Sequence, residues 1–488
     1  MVASLAADRV VIRLVWYRRK MDLPVIETPV FPRWVWIEEI TFSHISIATV
    51  VTAFMLLAPL FEYIGYRRHD PRWERLSKSF IWFTMILFSP GAALGTGIPM
   101  FIIGTYPEFW SRWANLFFWP LIVQFMFFLF EVFFLFFMYY LTWDRWANRK
   151  RLHISMGVCA ATFGYLVQVV WDSLGSYMMT PGGVALPAVD QPVGWAPGAM
   201  LNPSFPFLLA HRTFGNFSYV MLLTGGVFAL RYMSQRRKNP ASENTAYFDW
   251  ASSTCFTIGF LCFFAMPVIG WFYARVIQRE APVAFMALMG GHSSVYVTIK
   301  MSMIAILLFV GGTYVIKRHG ENKAIAWATT AGLLVVFVVV LRHPPLEWLG
   351  GSPLAWRAVT TTVILGFIRW IWVARGKGDP RRPAWQWAMF VVGLAAFFAF
   401  AVGGFIREHS KSPDTVYGEI VKPELTDNEA DRYLVYDKWL KPRNEVPADL
   451  DRNRPDDWRR QVEQARRDGL ELTDREAERI IHYLEVRH

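Results

Sequence analysis

The chain has 488 residues, of which 54% are hydrophobic and 17% aromatic, and its formal net charge is +11. A water-soluble protein of this size does not contain so many long apolar runs, so the composition excludes a soluble globular protein and predicts an all-α integral membrane protein. The positive charge does not indicate nucleic-acid binding, because the Lys and Arg residues lie in short loops, where they set topology and contact lipid head groups.

The first 38 residues contain no pattern of a cleavable signal peptide. Residues 8–20 are basic and include Trp and Tyr, which is typical of a segment that lies on a membrane surface. We therefore expect residues 1–38 to form an interfacial segment ahead of the membrane domain.

About ten apolar runs follow, each near the ~20 residues that a helix needs to cross the hydrocarbon core. They predict transmembrane helices at 40–64, 79–103, 117–141, 154–179, 206–230, 251–274, 293–316, 324–341, 354–373 and 385–407.

Every second loop is rich in basic residues, beginning after the first helix with Arg67, Arg68, Arg72, Arg75 and Lys78. The other loops are poor in them, and residues 181–207 contain no Lys or Arg. By the positive-inside rule the basic loops are cytoplasmic. This predicts a multi-pass protein of the bacterial inner membrane whose N- and C-termini are both periplasmic.

Five histidines fall at the predicted outer ends of helices: His44, His211, His292, His343 and His409. A single histidine at such a position is most simply a hydrogen-bonded interfacial side chain. Neutral imidazole is also the usual axial ligand of b-type haem, and five at one depth favour one or more haems near the outer leaflet.

The last apolar helix ends in Arg407, Glu408 and His409. At a membrane boundary such residues are costly unless they meet a metal cofactor or an ion-pair network, and interfacial anchoring is the alternative. Glu131, well inside the third helix, predicts a protonated or paired carboxyl group and a proton-relay role, with Gln124 two turns away on the same face. An interhelical hydrogen bond is the alternative for Glu131 and for Asp172.

Residues 414–488 are dense in charge and rich in proline, and end in a well-specified helix. Thr473 and Glu476 form a capping box, and an apolar stripe follows at helical spacing: Ala477, Ile480, Ile481 and Leu484. We expect a small periplasmic helical domain that packs on a partner. The three cysteines lie in apolar runs, with no C-x-x-C-H for covalent haem attachment, and read as buried small hydrophobes.

Several motifs occur in a fixed order along the chain. They are Phe42-Ser43-His44, Gly95-Thr96-Gly97 with Gly104-Thr105, Pro120-Leu121 before Gln124 and Glu131, Tyr177-Met178-Met179-Thr180-Pro181, and His211 before Gly215 and Gly225. In this order they resemble the large subunit of the cytochrome bd quinol oxidases. Residues 403–413 are similar to that family's G-W-x-x-x-E-x-G-R-Q-P-W motif, with Glu408 on its haem-ligating glutamate. The resemblance covers about 40–230 and about 355–415.

The resemblance implies a haem domain over residues 39–413, built from four-helix bundles. It implies that His44 and Glu408 serve a high-spin haem site where oxygen reacts, that His211 binds a low-spin haem b, and that Glu131 belongs to a proton path. It further implies haem b, with between one and three haems and with haem d as a further option. Quinone or quinol, or a periplasmic cytochrome c, would be the redox partner, and a second membrane subunit would complete a multi-subunit complex.

The sequence also departs from the family pattern. Gln124 replaces a glutamate, and Ser410-Lys411-Ser412-Pro413-Asp414 stands where G-R-Q-P-W is expected. Arg357-Ala358-Val359 lacks the methionine that partners the second histidine, and Met301, Met303 or His292 are its candidate replacements. Two extra helices at about 293–341 replace the family's quinol-binding loop, and the tail resembles a cytochrome c that has lost its haem motif.

Three functions follow as expectations. The first is a haem-binding subunit of a bacterial respiratory complex that transfers electrons at the periplasmic side and, as a bd-type terminal oxidase, passes them to oxygen. The second is an electron-transfer subunit between quinone and a periplasmic redox partner, which the departures favour. The third is a haem-less membrane anchor for a periplasmic enzyme.

Overall fold

A computed structural model describes residues 33–180, 194–281, 293–319, 322–341, 379–410, 434–443 and 457–486, with isolated positions at 26, 28, 30, 285, 288 and 366. All regular secondary structure in these ranges is helical, which confirms the predicted all-α class. Within them, 8 helices are long and apolar enough to cross a membrane. The predicted span 354–373 lies outside the described residues except for position 366, and so do His292, His343 and Arg357.

The membrane domain begins with two long helices, α1 (Arg33–Arg68) and α2 (Pro71–Thr105). A short helix, α3 (Pro107–Leu116), leads to α4 (Phe118–Val132), which continues as a π-helix over Phe133–Tyr140. At 1.5 Å per residue α1 is ~54 Å long, well beyond a ~30 Å hydrocarbon core. It therefore extends past the predicted span 40–64 at both ends, because helical hydrogen bonding continues outside the lipid.

The turn between α1 and α2 is held by Asp70, which caps α2. The Asp70 carboxylate accepts hydrogen bonds from the Arg72 backbone N–H at 3.0 Å and from the Arg72 guanidinium, and Pro71 takes the first helical position. The hydrogen bond from the Arg72 side chain holds the pKa of Asp70 below its usual value.

Four helices form the centre of the bundle: α5 (Lys150–Tyr177), α6 (Phe205–Lys238), α7 (Glu243–Phe263) and α8 (Ala265–Glu280). The backbones of α6 and α7 touch. A Cβ atom on Gly225 would lie 2.7 Å from the Phe256 nitrogen, and one on Gly259 would lie 2.7 Å from the Leu222 nitrogen. Glycine is therefore needed at both positions for this close approach.

The remaining membrane helices follow. Helix α9 (Ser293–Ile306) passes through the π-helical turn Leu307–Gly311 into α10 (Gly312–His319). Helix α11 (Lys323–Leu341) occupies the predicted span 324–341, and α12 (Pro383–Ser410) packs against α6 and α9.

The tail contains the π-helical turn Val435–Leu440, a 3-10 turn at Lys441–Arg443, and helices α13 (Trp458–Arg467) and α14 (Asp474–Val486). The predicted capping box is present, because the Thr473 N–H donates to Glu476 Oε2 at 2.9 Å and the Glu476 N–H donates to Thr473 Oγ1 at 3.2 Å. The predicted stripe is buried in an apolar cluster of the tail's own residues: Trp439, Trp458, Val462, Ala477, Ile480, Ile481 and Leu484.

Candidate cofactor site

His44 lies near the start of α1 and is oriented by α2. Its Nδ1 atom is 2.8 Å from the Gly91 carbonyl oxygen. A carbonyl only accepts, so Nδ1 carries the hydrogen and Nε2 keeps its lone pair. The imidazole packs on Gly95, where a Cβ atom would lie 2.7 Å from His44 Cε1. In its neutral form this imidazole has Nε2 free to bind a metal.

His211 lies in the first turns of α6 and faces α8. Its Nε2 atom would be 3.3 Å from a Cβ atom on Gly270, and its ring centroid is 6.2 Å from that of Tyr273. Among the residues that the structure describes, its imidazole has no hydrogen-bond partner. The imidazole is only partly buried, so a ring nitrogen that the polypeptide does not engage is available to an external ligand.

A polar network joins α5 to α6 beside these histidines. Arg212 Nη1 donates to Asp172 Oδ1 at 2.6 Å, Gln168 Nε2 donates to Asp172 Oδ2 at 3.1 Å, and Asn216 Nδ2 donates to Gln168 Oε1 at 2.8 Å. Asp172 thus forms an interhelical hydrogen bond, which the sequence offered as the alternative to a functional role for this residue. Arg212 is also near enough to His44 for their charges to interact.

Two more cations approach the same end of the bundle. Arg407 in α12 donates to the Gly175 carbonyl at 2.8 Å and lies near Asp172. Lys300 in α9 lies near His211, and its Nζ atom would be 2.8 Å from a Cβ atom on Gly403. We call the set His211, Asp172, Arg212, Lys300 and Arg407 the His211 cluster.

Glu408 lies in the last turn of α12, and its side chain is outside what the structure describes. Two contacts bring this end of α12 to α1. A Cβ atom on Gly404 would lie 3.5 Å from Phe42, and the Phe42 and Phe400 rings are 6.4 Å apart. The backbone therefore leads Glu408 towards the end of α1 that carries His44, and its predicted role as a ligand stays a prediction.

Glu131 is buried where α4 meets α5. Its Oε1 atom would lie 3.0 Å from a Cβ atom on Gly164, and Met55 Cε also lies against Gly164. Within the described ranges its carboxyl group has no hydrogen-bond or ion-pair partner, so the predicted pairing is not seen there. Gln124 is partly buried on the same helix. The predicted proton-path role of both residues stays a prediction.

Met301 and Met303 both lie in α9 and are partly buried. Met303 is three residues from Lys300 and so lies on the same side of the helix, whereas Met301 is turned away by one residue. Another methionine near His211, Met266, was not predicted as a site residue from the sequence. Met266 Sδ in α8 would lie 3.4 Å from a Cβ atom on Gly215, one turn along α6 from His211.

A second buried polar group lies at the opposite end of the bundle and was also missed. Glu62 Oε1 is 2.7 Å from His153 Nδ1 and 3.4 Å from Lys150 Nζ, and the Tyr139 hydroxyl donates to Glu62 Oε2 at 2.9 Å. His153 Nε2 is 2.9 Å from the Tyr139 carbonyl oxygen. We call Glu62, Tyr139, Lys150 and His153 the Glu62 cluster, and every member has a polar partner within it.

In the part of the chain that the structure describes, no three His, Cys, Asp or Glu side chains converge to hold a bare metal ion. His44 and His211 instead each present one imidazole, which is the number of protein ligands that a haem iron takes from one side. The residues at this end of the bundle therefore fit a haem-type group better than an all-protein metal cage.

A solved structure shares the helical architecture of this chain. The structure of bd oxidase from Geobacillus thermodenitrificans matches with a TM-score of 0.55 and 16% sequence identity, covering 80% of this chain and 91% of that chain. At this identity the likeness shows the fold alone. No curated protein sequence matches the chain.

The fold is therefore that of the membrane subunits of bd oxidases. A family model for cytochrome bd terminal oxidase subunit I matches residues 33–307, more than half of the sequence. The chain belongs to the cytochrome bd terminal oxidase subunit I family, which confirms the resemblance seen in its motifs and makes it a multi-pass membrane protein of respiratory electron transfer.

Proposed function

We propose that this chain is the haem-binding membrane subunit of a bacterial respiratory complex and transfers electrons at the periplasmic side, with oxygen as the acceptor. One observation carries the proposal. At the same end of the bundle, the Gly91 carbonyl holds His44 Nδ1 so that Nε2 of the neutral imidazole is available, and His211 presents a partly buried imidazole with no partner among the described residues. Both belong to a chain of the bd oxidase family.

In this proposal His211 binds a low-spin haem b, and His44 with Glu408 binds a high-spin haem. Bound haem supplies one-electron transfer and, at the high-spin site, the chemistry of oxygen reduction. The polypeptide supplies orientation. The hydrogen bond from His44 Nδ1 to Gly91 fixes the imidazole and increases the basicity of Nε2. Tyr219 donates to the Ser46 carbonyl at 3.1 Å and stacks on Phe400, which ties α1, α6 and α12 together around that imidazole.

The second ligand of the His211 haem is a methionine in this proposal. Met303 lies on the Lys300 side of α9, and Met266 packs on Gly215, which is one turn along α6 from His211. His292 and Arg357, the other residues proposed for this haem from the sequence, lie outside the described residues. Replacing Met266 and Met303 singly with leucine identifies the ligand, because only the true ligand converts the low-spin b spectrum to a high-spin one.

Glu131 moves protons towards the high-spin site in this proposal. Its carboxyl group lies inside the bundle, where the neutral acid has a much lower free energy than the anion. Glu131 therefore gives up or accepts a proton only when the charge of a neighbouring group changes. Gln124, in the place of a family glutamate, cannot exchange protons at neutral pH. Of these two residues, only Glu131 can therefore take part in the proposed proton path.

The orientation and the domain division also belong to the proposal. The basic loops lie in the cytoplasm, both termini lie in the periplasm, residues 39–413 form the haem domain, and 414–488 form a tail domain. The tail's own apolar cluster supports its treatment as a separate unit. Quinol or a periplasmic cytochrome c donates electrons, and a second membrane subunit completes the complex.

A second function keeps the haems without oxygen reduction, and the glutamine at position 124 favours it. Oxygen uptake by the purified complex, with quinol or with reduced cytochrome c, separates the two functions.

A haem-less membrane anchor is the third function. Reduced-minus-oxidised spectra of the wild type and of His211→Ala, His44→Ala and Glu408→Ala test all three. The proposal expects loss of low-spin b signal with His211 and a change in a carbon-monoxide-sensitive feature with His44 or Glu408. A wild type without haem leaves only the anchor.

A further inference from the structure

Lys300 is a cation inside the bundle that the proposed haem ligation does not use. It lies in α9, and its side chain crosses to α12, where Gly403 leaves space for the ammonium group. Its Nζ atom would be 2.8 Å from a Cβ atom at that glycine, so any larger residue there would displace it.

The Lys300 ammonium group has no hydrogen-bond or ion-pair partner among the residues that the structure describes. Its neighbours do not neutralise it. The carboxylate of the His211 cluster, Asp172, is already bound by Arg212 at 2.6 Å and by Gln168 at 3.1 Å. A lysine at this depth of a membrane bundle is costly unless an anion or a water-filled cavity accompanies it.

The position of Lys300 identifies the kind of anion. Lys300 is close enough to His211 for their charges to interact, and it lies on the same helix face as Met303. A haem bound by His211 extends several ångströms from the imidazole and would bring its edge towards this ammonium. Haem b carries two carboxylates on its propionate side chains, and a carboxylate is the anion that an ammonium group pairs with most directly.

We propose that Lys300 binds a propionate carboxylate of the haem held by His211. This inference rests on the proposed function, because it requires that His211 bind haem. Lys300 then has two effects. It holds the haem in the protein, and its positive charge favours the ferrous over the ferric state, because ferric haem carries one more positive charge.

The test uses the purified full-length complex with Lys300→Met, Lys300→Arg and Gly403→Ala. The Gly403→Ala variant pushes the ammonium aside without removing its charge, and the neighbour that must move is the flexible end of a lysine, so the variant folds. Lys78→Met is the matched control, because Lys78 pairs with the exposed Asp144 outside this site. The measurements are haem b per polypeptide after detergent exchange, the midpoint potential of the b signal, and redox-difference infrared spectra with haem labelled with carbon-13 at the propionate carboxyls.

We expect Lys300→Met to release haem about tenfold faster, the effect of losing one charge-assisted hydrogen bond. Its midpoint potential falls, and the labelled propionate bands shift. Gly403→Ala shifts the same bands with a smaller loss of haem, Lys300→Arg stays near the wild type, and Lys78→Met matches it.

Two outcomes contradict different claims. If the wild type holds haem that His211→Ala removes, and Lys300→Met leaves the labelled propionate bands and the midpoint potential unchanged, Lys300 pairs with another anion, such as a lipid phosphate, and this inference is wrong. If the wild type holds no haem, the proposed function itself is wrong.

Discussion

The Glu62 cluster and the His211 cluster, at opposite ends of the bundle, differ in whether their polar groups all have partners. In the Glu62 cluster, the carboxylate is fully enclosed and accepts from His153, Tyr139 and Lys150. The cluster lacks nothing. In the His211 cluster, Arg212 and Asp172 pair, but the Lys300 ammonium and the His211 imidazole have no partner among the described residues.

This difference distinguishes a polar cluster that stabilises the fold from one that can bind a ligand. A buried network whose members satisfy each other fixes the packing of the helices that carry them, here α1, α4 and α5. A network that leaves an ammonium and an imidazole without partners has an energetic cost that a ligand removes. Charge within the membrane is therefore not a sufficient sign of function, and the unsatisfied atoms are the better sign.

The largest effect is expected from Glu62→Gln. The amide removes the carboxylate that lies 2.7 Å from His153, although Lys150 keeps Glu74 at 3.0 Å, and breaking this buried pair costs about 3–5 kcal/mol in the free energy of unfolding. Thermal unfolding of the detergent-solubilised protein measures it. Asp144→Asn removes an exposed partner of Lys78 and should leave the unfolding temperature unchanged. Equal effects of the two variants would contradict the structural role of the Glu62 cluster.

Asp172→Asn should cost about 2–4 kcal/mol, less than Glu62→Gln, because the Arg212 side chain is 21% exposed to water whereas His153, the nearest partner of Glu62, is 1% exposed. The double variant Asp172→Asn, Arg212→Gln should recover part of this loss, because it removes the unpaired guanidinium. Chemical unfolding of the three variants gives the coupling. Strictly additive losses would show that the 2.6 Å pair does not join α5 to α6 energetically.

Gly95→Ala should disturb the proposed haem site at His44 more than it disturbs the fold. The new methyl group would lie 2.7 Å from His44 Cε1 and must push the imidazole aside, at a cost of about 1–3 kcal/mol. We expect the carbon-monoxide-sensitive feature to change while the His211 b signal stays. Gly194→Ala is the control, since no atom lies within 4 Å of its Cβ position. An unchanged feature in Gly95→Ala would remove His44 from the proposed site.

The smallest effect on stability is expected for an exposed ion pair in the tail, Arg459 and Glu478. Arg459 donates to both carboxylate oxygens of Glu478, at 2.6 and 2.9 Å, and this hydrogen bonding holds the pKa of Glu478 below its usual value. The pair's contribution is therefore present above the unfolded-state pKa of Glu478 and is lost as the pH falls through the lower folded-state pKa.

Because both side chains are exposed, we expect Glu478→Gln to flatten only slightly the loss of tail stability on acidification. Hydrogen exchange of the α13 and α14 amides at a series of pH values measures it. A steep acid transition that this variant abolishes would show the pair to be stronger than its exposure allows.

Much of the fold could be predicted from the sequence, because long apolar runs report directly on membrane helices. His44 and His211 could be proposed because they open helices in recognisable motifs. The partner of Asp172 could not, since Arg212 lies 40 positions away and meets it only through helix packing. Glu62 and Lys300 were visible as charges in apolar runs, but a sequence does not show that Glu62 is fully paired and Lys300 is not.

The haem b content of the purified wild type and of His211→Ala tests the account most directly. The account predicts haem b in the wild type and its loss in His211→Ala. It also predicts that His211→Ala does not lower the unfolding temperature of the haem-free protein, because His211 makes no hydrogen bond among the described residues. A wild type without haem, or a His211→Ala variant that keeps all of it, would contradict the assignment of the His211 cluster as a haem site.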